Sequence, residues 1–333
     1  MEKPNQVNMN TAITAITELR TAEHAPEEML EAFARFVQID VANGDATADT
    51  VSAYHREMNA WVAWCREQNF DPMSAQRKHI EAYREALKAA GASVATRRHK
   101  LSIVRRFYAA MVKNGLATAN PADGVKGGKD LTPPEEKMKS LTEGALGTLV
   151  RAIPTETLTG KRDRAIVGLM ALHGLRRVEV HRLDHSSLLS EGDTPYLMVE
   201  GKGNKRRRVY LRRDTYDAIV AYKEAKAAAG LPVEGAIFLA HSIYKHGHRL
   251  SRRSLNAVVD RYLDATALKR LGVSCHALRH TFGTLSVAGG AKVEHVKDAL
   301  GHSKLETTGI YVKAVERAKH NPAHCIGVDL KGY

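Results

Sequence analysis

Cysteine is scarce in this sequence: Cys65, Cys275 and Cys325 are the only three. They are odd in number and share no paired spacing, which excludes a disulfide framework and a zinc knuckle. A reducing, intracellular setting, the cytoplasm, is therefore expected. Long apolar runs are also missing. No stretch approaches the ~20 apolar residues of a membrane span, and the opening MEKPNQVNMN has no signal-peptide core. Nor is there an internal repeat of solenoid type. Negative charge is in short supply: 37 acidic residues face 50 basic ones, a formal net charge of +13. That imbalance favours a polyanionic partner, most simply nucleic acid. A membrane surface would attract the same charge, but nothing in the chain would insert into it.

What is present is enough chain, 333 residues, for two domains of ordinary size. Residues 1–23 are polar and Thr-rich and read as a loose arm. A short amphipathic helix is expected from Pro26 to Val37. Val51, Tyr54, Met58, Trp61, Val62 and Cys65 recur at intervals of three and four, which predicts a second helix. Ile80, Tyr83 and Leu87 mark a third, closed by Gly91. Leu101, Val104, Tyr108 and Met111 mark a fourth, closed by Gly115. The other side of that fourth helix carries Arg97, Arg98, Lys100, Arg105, Arg106 and Lys113, with no acidic partners at i, i+4. A basic face of that kind is expected to grip phosphates. Residues 24–118 thus read as an all-helical DNA-binding domain. The following NPADGVKGGKDLTPP has no periodicity, so 119–139 reads as an extended linker.

A second domain is expected over 140–318, with a helix starting at Thr142-Glu143. A buried helix from Ala165 to Leu172 should break at Gly174, and another should open with Arg176 and Glu179. PYLMVE and RRRVYL read as paired strands around GKGNK, with Lys202 between two glycines at the tip. GAIFLA (235–240) reads as a third short strand. The fold class is mainly α with a small antiparallel β-sheet, an all-helical N-terminal domain joined to a mixed α+β C-terminal one. In the tail, 319–333, Ile326, Val328 and Leu330 alternate. This segment is expected to pack on a neighbouring protomer, with packing in cis as the alternative.

The stretch 275–312, CHALRHTFGTLSVAGGAKVEHVKDALGHSKLETTGIYV, is the densest in reactive side chains. His276 and Arg279 stand at i, i+3 on one helical face, and Gly289-Gly290 would end that helix. A second helix, Val293 to Leu300, ends at Gly301, just before His302. Ser303-x-x-Glu306 is a capping-box pattern, which puts Tyr311 about two turns into a third helix. Two imidazoles, a guanidinium and a phenol can then converge on one anion. His276 and His280 also have the i, i+4 spacing of metal ligands. Position 277 is Ala, however, and no acid lies inside the pair, so no metal is expected. Taken singly, each of these residues reads as ordinary core or surface.

Taken with the upstream stretches they resemble the tyrosine recombinase (phage integrase) family, most strongly over 163–313. HGLRRVE resembles the first arginine box, implying Arg176 as a catalytic arginine and Glu179 as its supporting acid. VEGKGNKRR resembles the hairpin with the family lysine, implying Lys202, with Lys205 as the fallback if the register differs. HALRHTF resembles the His-x-x-Arg box, giving His276 and Arg279. LGHSKLETTGIYV resembles the last box, giving His302 and the nucleophile Tyr311.

The resemblance implies a site-specific recombinase that cleaves and rejoins duplex DNA through a 3′-phosphotyrosine intermediate. Four protomers would act on two sites, one strand pair at a time, through a Holliday junction. Neither metal, ATP nor another cofactor is implied: the covalent bond stores the energy of the broken one. The two arginines would hold the non-bridging oxygens, His302 would donate a further hydrogen bond, and His276 would assist the phenol. Lys202 would protonate the leaving 5′-oxygen. Lys205, Arg206, Arg207 and Arg208 would join the helical face in gripping phosphates. A type IB topoisomerase and an inactive DNA-binding regulator remain as alternatives. Gly309, inside the predicted Tyr311 helix, costs roughly 0.5–1 kcal/mol relative to Ala and marks a locally soft point.

Overall fold

The structure is a computed structural model that describes residues 27–39, 41, 48–201, 205–242, 246–270, 273–319 and 326. The N-terminal arm, Lys202, and Val328 and Leu330 of the tail lie outside the described residues; Ile326 is exposed. The chain divides into two units, Met1–Leu131 and Thr132–Tyr333.

Four α-helices stand among the described residues of the first unit: α1 (Glu27–Ile39), α2 (Ala48–Glu67), α3 (Arg77–Ala89) and α4 (Val94–Lys113). Their apolar stripes meet around Trp61, whose ring lies edge-on to Tyr83 at 5.0 Å and to Tyr108 at 6.3 Å between centroids. The polar ends of these buried rings are satisfied: Trp61 Nε1 donates to the Tyr108 hydroxyl (3.2 Å), which donates to Pro72 O (2.8 Å). Ser93 caps α4 by accepting from Thr96 N.

The basic face of α4 departs from expectation. Arg97 Nε donates to Gly127 O (3.0 Å), Arg98 Nη2 to Gly128 O (2.8 Å), and Arg105 to Ala122 O and Val125 O (3.1 and 2.7 Å). Lys100 pairs with Glu57, and Arg106 bonds the Tyr54 hydroxyl and stacks on its ring. These five cations therefore have partners within the protein; of the face, Arg98, Arg106 and Lys113 stay exposed. The partners are main-chain carbonyls, a glutamate and a tyrosine from other segments, which i, i+4 spacing cannot reveal. For the same reason residues 122–128 do not run free as an extended linker. Ala122 and Val125 are buried, and the arginines clasp their carbonyls.

The second unit is built on α7 (Leu158–Leu172), after α5 (Pro134–Lys137) and α6 (Glu143–Arg151). Thr142 caps α6 by accepting from Ala145 N, as its sequence suggests. Ala165, Ile166, Val167, Leu169 and Met170 are all buried, so the C-terminal half of α7 is apolar on every side and sits in the core, while its first half carries the buried pair Arg162 and Asp163. Next come α8 (Arg177–Arg182) and a three-stranded antiparallel sheet, β1 (Leu188–Glu191), β2 (Thr194–Glu200) and β3 (Arg206–Tyr210), in that order. The β2–β3 pairing sets Val199 opposite Arg207. The remaining helices are α9 (Arg213–Ala228), α10 (Arg252–Ala265), α11 (Cys275–Ala288), α12 (Val293–Leu300) and α13 (Leu305–Lys319).

The third strand is β1; the expected strand at 235–240 does not form one. That segment makes only single bridges, Asp184 with Ala236 and Leu239 with Arg249. Its carbonyls are claimed otherwise: the buried Lys226 ammonium takes Ile237 O (2.9 Å) and Ala236 O (3.3 Å). Ile237 and Phe238 instead fill the core.

Candidate active site

Helix α11 carries His276, Arg279, His280 and Gly283 along its length. Arg279 is buried at 2% exposure. Its guanidinium donates to Gly174 O (2.5 Å) and Leu300 O (2.7 Å). Burial lowers its pKa to about 10, with Arg176 adding to the effect, so it stays charged at neutral pH. Arg176 sits at the N-cap of α8, where Glu179 Oε2 accepts its backbone N–H (2.7 Å) and Oε1 accepts from Nη1 (2.9 Å). Arg176 Nη1 also reaches Leu300 O at 3.4 Å. Two guanidinium groups thus converge on one carbonyl oxygen.

Glu179 does more than support Arg176. It receives both ends of the Arg207 fork, at 2.9 and 3.1 Å, and Arg207 Nε donates to Ala299 O (3.1 Å). Burial pushes the Glu179 carboxyl up, yet the Arg207 and Arg176 bonds outweigh it and hold the group below the usual carboxylate range. Arg207, expected among the phosphate-gripping residues, is engaged here with the carboxylate and with the end of α12. Its neighbours Lys205, Arg206 and Arg208 are exposed, and Arg208 pairs with Glu191 (3.0 Å) and lies over the Tyr196 ring.

Gly301 ends α12 in the left-handed conformation, φ 64° and ψ 46°, where a β-carbon would be strained. His302 N then bonds back to Lys297 O (3.0 Å). This turn brings the His302 ring nearly parallel to that of Tyr311, centroids 6.5 Å apart. His302 Nδ1 lies 2.9 Å from Thr308 Oγ1. Burial, followed by the fields of Arg279 and Arg176, lowers the His302 pKa to about 4, so its ring is neutral at pH 7.

Tyr311, on α13, is 1% exposed. Its hydroxyl lies 3.1 Å from Nδ1 of His280, not of His276. His276 stands edge-on to His280, ring centroids 4.6 Å apart. The Tyr311 ring presses on α11 at Gly283, and Val296, Leu300, Met138 and Phe282 pack around it. Burial raises the phenol's pKa, while Arg279 and Arg176 pull it back. Beside this assembly opens a cleft of about 350 Å³, lined by Arg176, Arg177, Arg252, Asn256, His276 and Arg279 among others.

The structure therefore brings Arg176, Glu179, His276, Arg279, His302 and Tyr311 to one place. Lys202 lies outside the described residues. Sequence reasoning missed the contact between His280 and the phenol, the inward turn of Arg207, and Arg252 and Asn256 at the cleft. His280 had a signal in its position, one turn after His276 on the same face. The others depend on contacts between distant segments.

Arginines, imidazoles and a tyrosine are thus gathered beside one cleft, and similarity to known proteins says to which class such a chain belongs. Residues 139–317 match the phage integrase family, and residues 31–115 match the phage integrase N-terminal SAM-like domain. The chain belongs to the phage integrase family of tyrosine recombinases. It is 28% identical to tyrosine recombinase XerD of Rhizobium meliloti (strain 1021) over 301 residues, 86% of this chain and 91% of that one. It is 32% identical to tyrosine recombinase XerC of Shewanella oneidensis over 245 residues, 73% of this chain and 76% of that one. Among solved structures, the fold is similar to the XerH site-specific recombinase bound to palindromic difH substrate in a post-cleavage complex. That match has a TM-score of 0.67 and 16% identity, and covers 97% of each chain. A lambda integrase dimer bound to a COC′ core site matches with a TM-score of 0.63 and 18% identity, over 83% of this chain and 96% of that one.

Proposed function

We propose that this recombinase cuts and rejoins specific duplex DNA sites by forming a covalent bond between Tyr311 and the 3′-phosphate of the broken strand. The observation that carries this reading is the convergence of the Arg176 and Arg279 guanidiniums on Leu300 O, at 3.4 and 2.7 Å, beside a buried tyrosine. A point where two cations meet one oxygen lone-pair donor is a point where they can meet a phosphate oxygen. Guanidinium forks are permanently charged and match phosphate geometry, so they can carry the charge of a pentacoordinate phosphorane without a metal ion. His302 adds a neutral donor to the same anion, and Glu179 holds Arg176 in orientation. The tyrosine oxygen attacks phosphorus, the 5′-hydroxyl leaves, and the stored bond energy lets a new 5′-hydroxyl reverse the step without ATP.

Lys202 is the proposed acid for the leaving 5′-oxygen, with Lys205 as the alternative in the same hairpin. Four protomers on two sites would exchange one strand pair at a time, through a Holliday junction, on DNA in the cytoplasm. Exposed Lys205, Arg206 and Arg208, with Arg98 and Arg106, would meet phosphates, consistent with the excess of basic charge.

The test is a nicked suicide duplex carrying the cognate site. The parent protein should form a detergent-resistant adduct on the 3′ side of the break, and Tyr311→Phe should bind but never attach. Arg176→Ala and Arg279→Ala should keep the phenol and lose most of the rate. Mapping of the adduct to another tyrosine would falsify the assignment. Relaxation of plasmids lacking any site would favour a topoisomerase instead. Lys202→Ala should be slow on ordinary DNA and largely restored on a strand with sulfur at the 5′-bridging position, which leaves without a proton. Arg176→Ala should not be restored. If Lys205→Ala is the variant that sulfur rescues, the acid is Lys205.

A further inference from the structure

Resting on that reading, the geometry around Tyr311 points to a residue that none of the sequence boxes assigns. The nucleophile must lose a proton, and its surroundings restrict where that proton can go. The residue is 1% exposed, so bulk water and hydroxide do not reach its oxygen. Among the described residues, the one atom within hydrogen-bond distance of that oxygen is His280 Nδ1, at 3.1 Å. The ring cannot turn freely toward another acceptor, because Gly283 and the Val296–Leu300–Phe282 cluster enclose it. We propose that His280 is the proton acceptor of the Tyr311 nucleophile.

The proton inventory closes. The Tyr311 O–H bond breaks and an N–H bond forms at His280 Nδ1. The phenolate oxygen bonds to phosphorus, the bond from phosphorus to the 5′-oxygen breaks, and the 5′-oxygen takes a proton from the hairpin lysine. On rejoining, each proton returns to the group that gave it. Deprotonation also changes what holds the tyrosine. A neutral phenol packs against Gly283 and bonds to His280, whereas a phenolate feels the attraction of the Arg279 and Arg176 charges, which would also bind the phosphate.

The groups acting on this ring explain why the step waits for DNA. Burial, then His276, then Arg279 lower the His280 pKa to about 4, so at neutral pH it is a neutral but weak base. His302 and Tyr311 are the other titratable groups that meet it. A phosphate bound by Arg279 offsets part of that positive field and raises the basicity of His280 when the substrate is in place.

The test compares His280→Ala and His280→Asn with the parent on the suicide duplex under single-turnover conditions, from pH 6 to pH 9. Asn places an oxygen near the position of Nδ1 and can hold the phenol by a hydrogen bond, but it cannot take up a proton at these pH values. Both variants should bind the site as tightly as the parent. Both should form adduct slower by a factor on the order of 10²–10⁴. Their rates should climb about tenfold per pH unit across the range, because only the small fraction of phenol already ionised at equilibrium can then attack, while the parent profile levels off. Added imidazole should restore part of the rate of His280→Ala. A His280→Asn variant as fast as the parent overturns the proposal, because it would mean that the ring only positions the phenol. So would parallel pH profiles for all three proteins. Tyr311→Phe, run alongside, keeps the two levels apart: an adduct from that variant overturns the recombinase reading itself, whereas a normal failure of Tyr311→Phe with full activity in His280→Ala overturns only the role of His280.

Discussion

Gly283 faces the ring of Tyr311 so closely that a β-carbon at position 283 would sit 2.5 Å from the ring Cζ. Gly in the middle of a helix costs about 1 kcal/mol relative to Ala, so this glycine works against helix propensity to admit the ring. Gly283→Ala should destabilise the protein by about 1–3 kcal/mol through overpacking. In a Tyr311→Ala background the same change should instead stabilise it, by up to about 1 kcal/mol. Urea unfolding of the four proteins of this cycle checks the reversal of sign.

Glu179 is the shared acceptor for Arg176 and Arg207 and is almost fully buried. Glu179→Gln removes the charge and leaves two guanidiniums facing each other. The expected loss is about 3–5 kcal/mol of stability, together with a large fall in adduct formation. Arg207→Leu should reproduce the stability loss in part. A Glu179→Gln protein as stable as the parent would mean that the ion pairs contribute nothing to the fold.

The inward turn of Arg207 separates it from its strand neighbours. Arg208→Ala should lower the slope of log affinity against log salt by about 1, the signature of one lost phosphate contact. Arg207→Leu should leave that slope unchanged and lower the cleavage rate. The same titration on Arg105→Ala should show an unchanged slope, because its guanidinium serves Ala122 O and Val125 O. Its cost should appear instead as lost stability, about 1.5–3 kcal/mol for its charged hydrogen bonds.

Neutral histidines, one buried and two half-buried, contribute to the pH response of the fold. His173, His280 and His302 each have a pKa lowered to about 4, first by burial and then by nearby arginines or, for His280, by His276 and Arg279. Unfolded, each takes a proton near pH 6.5, while in the folded protein it does not until about pH 4. The unfolded state therefore binds more protons across that window, and stability should fall as pH drops from about 6.5 to 4. Above pH 7 these residues should have no effect. Thermal unfolding between pH 4 and pH 8 measures this, and replacing His173 with a neutral residue of similar size should flatten the curve.

Much of this site could be read from sequence because its residues are carried in short, locally spaced boxes. His276 and Arg279 share a helical face by their spacing alone. Gly301 announces the turn that presents His302. The apolar run of α7 marks a helical stretch buried on all sides. What stayed hidden depends on long-range encounters. Arg207 looks like the rest of a basic run, and only its position on β3 opposite Val199 turns it toward Glu179. Arg97, Arg98 and Arg105 of α4 look unpartnered because their acceptors are carbonyls, which every residue has and no pattern distinguishes. The short β1 escaped notice because LLSE shows no alternation, and its burial is correspondingly slight.

The carbonyls at the end of α12 have a further consequence. Leu300 O and Ala299 O receive three guanidiniums, those of Arg279, Arg176 and Arg207. A helix C-terminus carries roughly half a negative charge, so the chain supplies its own placeholder anion. Three mutually repelling cations are held together by this dipole and by the Glu179 carboxylate, neither of which dilute salt dissolves away. Raising ionic strength should therefore release the DNA long before it loosens this cluster. The same cations answer to two partners, one built into the backbone and one that arrives with the substrate.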